Sequence, residues 1–415
     1  MKIDEKKINN RKIRLISGMS FLLGFSQAFF IYVMSTYLKL ASGLENVGFF
    51  YFFSYFLVFL IFLNLHKIIK KIGEADIFHL ALTVKIISVC FLSVSSPSFW
   101  GVFWVIIYII SGNVEWVSMD IILESYSSDH MSGRIRGKYL TIMNAGILLG
   151  PFLSTFILDN YDFNGLFLAL LFLNVVISAV AITGIKKIGE KQKKSKYRFG
   201  KNISVFSVAQ KFLTRKNVRK VYYISFMLEF FYALTIIFVP LHLYNIGLTL
   251  KEIGFIFTIM LIPFVLVQYP IGFWADKKLG EKEMLIAGIF IMAFSGLGIF
   301  FFSSQEVFLW VIILFLGRLG AAMVEILRDS YFYKRIDSCD VDMINFFRTS
   351  KSLAYIVSSG IAGFTLMIFP LKSVFILLGI VSFSALWSAF RLKDNKCEKE
   401  LVAGEKVAGL SYDRY

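Results

Sequence analysis

Apolar residues run on for about 20 positions at a time along this chain, and each run ends at charges, Gly, Pro or Asn. A helix needs about 20 apolar residues to cross the hydrocarbon core of a bilayer. The pattern predicts twelve helices, near 14–38, 46–66, 77–96, 99–123, 139–158, 163–185, 219–242, 252–275, 284–303, 307–328, 350–369 and 372–391. The runs are continuous rather than alternating, which excludes a β-barrel. The expected fold is an all-α integral membrane protein of twelve transmembrane helices.

Composition agrees on the solvent. Of 415 residues 57% are hydrophobic and 17% charged, whereas a soluble domain carries about 25% charged residues. The net charge is +16, and its placement identifies it as topology rather than a nucleic-acid patch. Lys67, Lys70, Lys71, Arg134, Arg136, Lys138, Lys277, Lys278, Lys282, Lys334 and Arg335 fall in alternate loops. The intervening loops hold only Lys39, Lys251 and Lys372. Basic loops stay on the cytoplasmic side, so both termini and the middle segment are expected there. Six Lys or Arg precede residue 15, and the first apolar run is too long for a signal-peptide core. It reads as a retained anchor, in the cell inner (plasma) membrane.

The expected organisation is a six-helix bundle over 1–185, a basic linker over 186–218, a second bundle over 219–392 and a tail over 393–415. Residues 186–220 hold thirteen Lys or Arg and one acid, Glu190, which reads as solvated linker. The halves are related. Asp120–Tyr126 (DIILESY) reappears as Glu325–Tyr331 (EILRDSY) at a shift of 205, and Gly48-Phe49 meets Gly254-Phe255 at 206. A common shift at separated places points to an internal duplication.

Two six-helix halves joined by a long basic loop resemble the major facilitator superfamily, and three local patterns extend the resemblance. That family's loop after the second helix, Gly-x-x-x-Asp-Arg/Lys-x-Gly, is nearly intact in the second half as Gly272-Phe-Trp-Ala-Asp276-Lys277-Lys278-Leu-Gly280. The first half keeps a remnant, His66-Lys67-Ile-Ile-Lys70-Lys71-Ile-Gly73, with Lys70 where the Asp would stand. The family's fifth-helix motif is matched by Gly137, Gly146, Gly150 and Pro151, with Ser154-Thr155 replacing its last glycine pair. In the family that motif goes with proton-coupled antiporters, while close packing through small residues is the plainer reading. The family's fourth-helix Arg appears here in the second half as Arg318, with Asn113 at the repeat-related place. The resemblance implies two bundles that rock about a midplane site lined by the first, fourth, seventh and tenth helices.

Ionisable groups within a span cost several kcal/mol unless paired or hydrated, so each is a functional candidate. Counted from their helix ends, Glu229 and Arg318 both lie about 15 Å deep at 1.5 Å per residue. Glu229 is expected either to load and release a proton or to stand in a fixed ion pair with Arg318. Gln27, Asn113, Glu115, Gln268 and Tyr269 are the other candidates for solute or proton. Asp120, Glu124, Glu325 and Asp329, with Arg134, Arg136, Arg328 and Arg335, are expected as salt bridges that gate the inner mouth, or else as solvated helix ends. Lys85 is expected to snorkel. The 46 Phe would suit either a Phe-lined cavity or a lipid-facing surface.

The four His form no pair at ligand spacing and the three Cys are far apart, so neither metal, cofactor nor enzymatic centre is expected. The reading is a monomeric secondary transporter of a small organic solute working by alternating access. Proton-coupled export is favoured because few hydrogen-bonding residues are seen for the cavity. Proton-coupled uptake of a sugar or metabolite, and a transport-inactive receptor or scaffold, are the rivals.

Overall fold

The structure, a computed structural model, describes residues 2–124, 132–184, 209–210, 212, 214–336 and 341–393. Much of the predicted linker and nearly all of the predicted tail lie outside these residues, as do the side chains of Glu124, Arg134 and Arg136. No strand occurs among the described residues.

The first crossing is α1 (Lys2–Ile31) continued by α2 (Met34–Ser42) after a break at Tyr32-Val33. Then follow α3 (Gly48–Ile72), α4 (Glu74–Val94), α5 (Phe99–Glu124) and α6 (Ser132–Gly184). The apolar part of α6, Gly137–Ile182, is 46 residues long. At 1.5 Å per residue it would reach about 69 Å, more than twice the hydrocarbon thickness. It divides at Asp162, which has φ 54 and ψ −168, so α6 supplies the fifth and sixth crossings. The second half runs α7 (Lys216–Asn245), α8 (Leu250–Met260) with α9 (Ile262–Trp274), α10 (Lys282–Phe301), α11 (Val307–Tyr333), α12 (Val341–Ile368) and α13 (Val374–Phe390). This makes twelve crossings in two bundles of six.

The eighth crossing breaks between α8 and α9 because Pro263 stands in the first turn of α9 and cannot donate back. Leu261 N–H turns instead to the Thr258 carbonyl at 3.2 Å. Thr249 and Glu252 cap α8 reciprocally, as a capping box does. The loop motif carries one residue more than its first-half remnant, since Asp276 to Gly280 is four steps and Lys70 to Gly73 is three. The extra residue is absorbed by a π-helical turn, Ala275–Leu279, the usual form of a one-residue insertion in a helix. Gly280 (φ 73) and Gly73 (φ 102) then make the same left-handed exit, which favours Gly.

Small residues set the spacing of the crossings. A Cβ on Gly146 would press into the carbonyl oxygen of Phe21, one on Gly150 into Ala28, and one on Gly24 into the Met143 carbonyl. α1 and α6 therefore touch backbone to backbone, as small-residue seams permit. Gly137 lies against Gln268 and Tyr269 of α9, and Gly254 against Thr155, so the α6 seam also joins the two halves. The hydroxyls of Ser154 and Thr155 turn back to the Pro151 carbonyl at 3.1 and 2.8 Å. The other seam between halves is α3 on α12, where Tyr55 and Tyr355 stack at 3.9 Å. Phe172, Phe364, Phe301 and Phe308 stand exposed on the outer surface, where acyl chains would cover them, while Phe62 and Phe264 line the interior cavity described next.

Candidate functional site

Between the halves lies a cavity of about 190 Å³. The first half brings Gln27 from α1, Tyr32 from the break after it, Asn113, Trp116 and Asp120 from α5, and Asn144 from α6. The second brings Glu229 and Tyr232 from α7, four residues of α11 (Arg318, Glu325, Arg328, Asp329) and Lys351, Arg348 and Tyr355 from α12. The repeat-related pairs Asn113/Arg318 and Asp120/Glu325 thus share one chamber. A smaller chamber continues from it past Tyr51, Tyr55 and Tyr108 to Lys85, with Gln27, Asn113 and Trp116 on the shared wall.

The expected pairing of Glu229 with Arg318 is not the one formed. Glu229 Oε1 accepts from Arg328 Nη2 at 2.9 Å, and Arg328 also donates to Ser225 Oγ at 2.6 Å. The packing of α7 against α11 sets the partners: it brings Glu229 level with Arg328, while Thr235, six residues further along α7, lies level with Arg318. Arg318 instead donates to Thr235 Oγ1 at 3.2 Å and lies 5.2 Å over the Tyr232 ring. A cation–π contact supplies about 0.5–2 kcal/mol, against several kcal/mol for burying a charge without a counter-ion. With 4% exposure, Arg318 needs water or a solute in the cavity to complete its solvation.

Arg348 is the residue that sequence reasoning missed. It bridges Asp120 of the first half at 2.8 Å and Asp329 of the second at 3.1 Å. The expected eleventh helix began at 350, which left Arg348 in a loop. The helix begins at Val341, and the apolar positions Met343, Ile344, Phe346 and Phe347 were the available signal. Lys351 stands one turn further on. Glu325 accepts from Gln268 Nε2 at 2.7 Å, and Gln268 Oε1 accepts from Asn144 Nδ2 at 3.0 Å. That chain crosses from one half to the other. Gln268 is fully buried in it and is a tether rather than part of the cavity wall. Tyr269 is 44% exposed on the outside of α9, so it is not placed to touch a solute.

Glu115 and Lys85 also depart from expectation. Lys85 does not snorkel: its ammonium sits 2.9 Å from Glu115 Oε2, with side chains 2% and 1% exposed. Glu115 is held in that pair between α4 and α5, outside the central cavity. Asp276 of the loop motif meets Lys334 Nζ at 2.8 Å, and Glu281 meets the same ammonium at 2.6 Å. Burial works against the charge on Lys334, but the carboxylates of Glu281 and Asp276 outweigh it and hold its pKa above the ordinary lysine value. Lys277 lies 4.5 Å from the Phe273 ring. Arg335 covers the Tyr331 ring at 5.1 Å and donates to the Lys393 carbonyl. At the opposite end Lys251 and Asp159 join the halves at 2.9 Å. No cluster suited to a metal occurs among the described residues.

Residues 221–411 match the family model described as Major Facilitator Superfamily. A curated relative, an uncharacterized MFS-type transporter of Methanocaldococcus jannaschii, is 27% identical over 180 residues, 42% of this chain and 45% of the relative. The match thus spans less than half the relative's length. The human organic anion transporter MFSD10 (TETRAN) superposes with a TM-score of 0.68 at 10% identity, covering 92% of this chain and 99% of that one. A variant of the nucleoside transporter NupG gives 0.69 at 13% identity, with 92% and 99% covered. At these identities the two structures establish a shared fold.

Proposed function

Starting from a chain of the major facilitator type, we propose that it is a secondary transporter, moving a small polar organic solute through the central cavity by alternating access. The observation that carries this is the cavity between two repeat-related halves, clasped across by Asp120–Arg348 at one end and Asp159–Lys251 at the other. Rocking of the halves about such a site needs each clasp to break in turn. Arg318, Gln27, Asn113 and Lys351 are the solute-binding groups in this reading.

Proton coupling is assigned to Glu325 in preference to Glu229. Glu229 is tied to Arg328, and protonating it would break a buried ion pair. Glu325 has an amide partner and, among the described residues, no cation within ion-pair distance, so it takes a proton without that loss. Export was favoured by a cavity poor in hydrogen-bonding groups. This cavity is rich in them, which supports uptake of a polar metabolite equally and leaves the fifth-helix glycine pattern as the ground for export.

Inside-out vesicles with an acidic lumen and a pH dye test the reading, using lipophilic cations, sugars, amino acids and organic acids in turn. At least one class is expected to move protons in the wild type, out of the lumen for antiport or into it for symport, and none in Glu325→Gln. Solute movement with no dye response would refute the coupling. A protein that moves none of these classes would refute transport of them.

A further inference from the structure

We infer that the solute is a small organic monoanion, carboxylate or phosphate ester, that travels together with one proton. This rests on the transporter reading above and names the substrate class of the same site. Four cations line the cavity (Arg318, Arg328, Arg348, Lys351) and four carboxyls (Asp120, Glu229, Glu325, Asp329). They are not evenly matched. Arg328 and Arg348 take up three of the carboxyls: Glu229 with Arg328 at 2.9 Å, Asp329 with Arg328 at 3.4 Å and with Arg348 at 3.1 Å, and Asp120 with Arg348 at 2.8 Å. Among the described residues Arg318 and Lys351 are left without a carboxylate within ion-pair distance, and Glu325 without a cation.

Every element at this level enters the count. α7 contributes Glu229 and the neutral Tyr232, α9 the amide of Gln268, and α6 the amide of Asn144. α5 contributes Asp120 and α12 contributes Arg348 and Lys351. On the α10 side, Asp276 and Glu281 are engaged by Lys334 outside the cavity. With all eight groups ionised the chamber is neutral. A proton on Glu325 leaves the chamber with one net positive charge. A monoanion cancels that charge, and it would be opposed if it entered without the proton. Proton and anion therefore favour each other's binding, and the coupling is reciprocal.

The groups left over suit such a ligand. Arg318 offers guanidinium donors at 4% exposure, Lys351 an ammonium, and the buried Tyr232 hydroxyl has no hydrogen-bond partner among the described residues. A guanidinium is suited to bidentate capture of a carboxylate or phosphate. The volume of about 190 Å³ is below the roughly 300 Å³ at which drug-sized pockets begin, which keeps the solute small.

The test is purified protein in liposomes with a lumenal pH dye, equal pH on both sides and protein-free liposomes subtracted. The solutes are short-chain carboxylates, aromatic carboxylates, phosphate monoesters, ethanolamine and glycerol. An anion added outside is expected to acidify the lumen at a rate that valinomycin with potassium leaves unchanged, because proton and monoanion carry no net charge. Carboxylate and phosphate arms separate the two sources of anion. Arg318→Gln, or Lys351→Gln should the first fail to fold, should raise the half-saturating anion concentration about tenfold, the loss of ~1.4 kcal/mol. Glu325→Gln should still be stabilised against heating by the same anion while moving no protons. Anion entry without protons, a strong valinomycin effect, or no response to any anion overturns the inference. Movement of ethanolamine or glycerol alone also overturns it while leaving the transporter reading intact.

Discussion

Replacing Lys85 by Met isolates the energetics of the ion pair buried between α4 and α5. The side chains of Lys85 and Glu115 are 2% and 1% exposed and meet at 2.9 Å. Among the described residues Glu115 Oε1 has no hydrogen-bond partner, so none of them compensates the carboxylate once the ammonium is gone. Removing one member of such a pair costs about 3–5 kcal/mol, a large share of the ~5–15 kcal/mol that holds a typical fold. The contact of Lys85 with the Tyr108 ring, at 5.6 Å, is a minor addition. Glu115→Leu should leave the ammonium stranded at a similar cost. The double variant exchanges the pair for apolar groups and should recover most of the loss, because two apolar side chains demand no desolvation of charge. The assay is a double-mutant cycle on reversible unfolding in mixed micelles, with a coupling of about 3 kcal/mol expected. Single variants costing under ~1 kcal/mol, the range of a solvated pair, would refute the reasoning and restore a snorkelling Lys85. A double variant as unstable as the sum of the singles would refute the pairing.

Three further outcomes follow from the geometry. Arg348→Gln removes the cation shared by Asp120 and Asp329. A cysteine placed at Ile147, in a background without native cysteines, should then be labelled from the basic face about 10-fold faster, as loss of ~1.5 kcal/mol of clasp implies; an unchanged rate contradicts it. Gly146→Ala drives a methyl into the Phe21 carbonyl and should cost ~1–3 kcal/mol by overpacking, whereas Gly18→Ala, with nothing near its Cβ position, should cost far less; equal melting shifts would sink this account of the seam. The Lys334 clasp has a raised lysine pKa. Its stabilisation is therefore complete below the unfolded lysine value near 10.4 and is lost as pH climbs through the higher folded value. Wild type and Lys334→Met should converge in melting temperature only at strongly alkaline pH, and convergence on acidification would show the sign to be wrong.

What could be read from the sequence was depth and periodicity. Apolar runs placed every crossing, and the repeated DIILESY and EILRDSY segments put Asp120 and Glu325 in equivalent places that now share a cavity. What could not be read was which way a side chain points around its helix and which neighbour it meets. Lys85 gave no sign that Glu115 of the next helix would face it. Gln268 and Tyr269 are consecutive, yet one is fully buried and the other faces outward. Arg318 and Arg328 lie on one helix, and only the packing of α7 against α11 selects Arg328 for Glu229. Arg348 was missed for a different reason: its helix starts well before the apolar run, because Asp342 and Asn345 interrupt the hydrophobic pattern without ending the helix.

Alternating access is tested most directly by distances across both mouths in one preparation. Spin labels at Asn160 and Lys251 report the end closed by Asp159–Lys251, and labels at Lys138 and Lys277 report the basic end. Both pairs are read by double electron–electron resonance in nanodiscs, at neutral and acidic pH, with and without the organic anion that gives the largest proton signal. The account predicts that the two distances shift in opposite senses, one mouth widening as the other narrows. Two distances that stay fixed under all conditions, or that widen together, would contradict it.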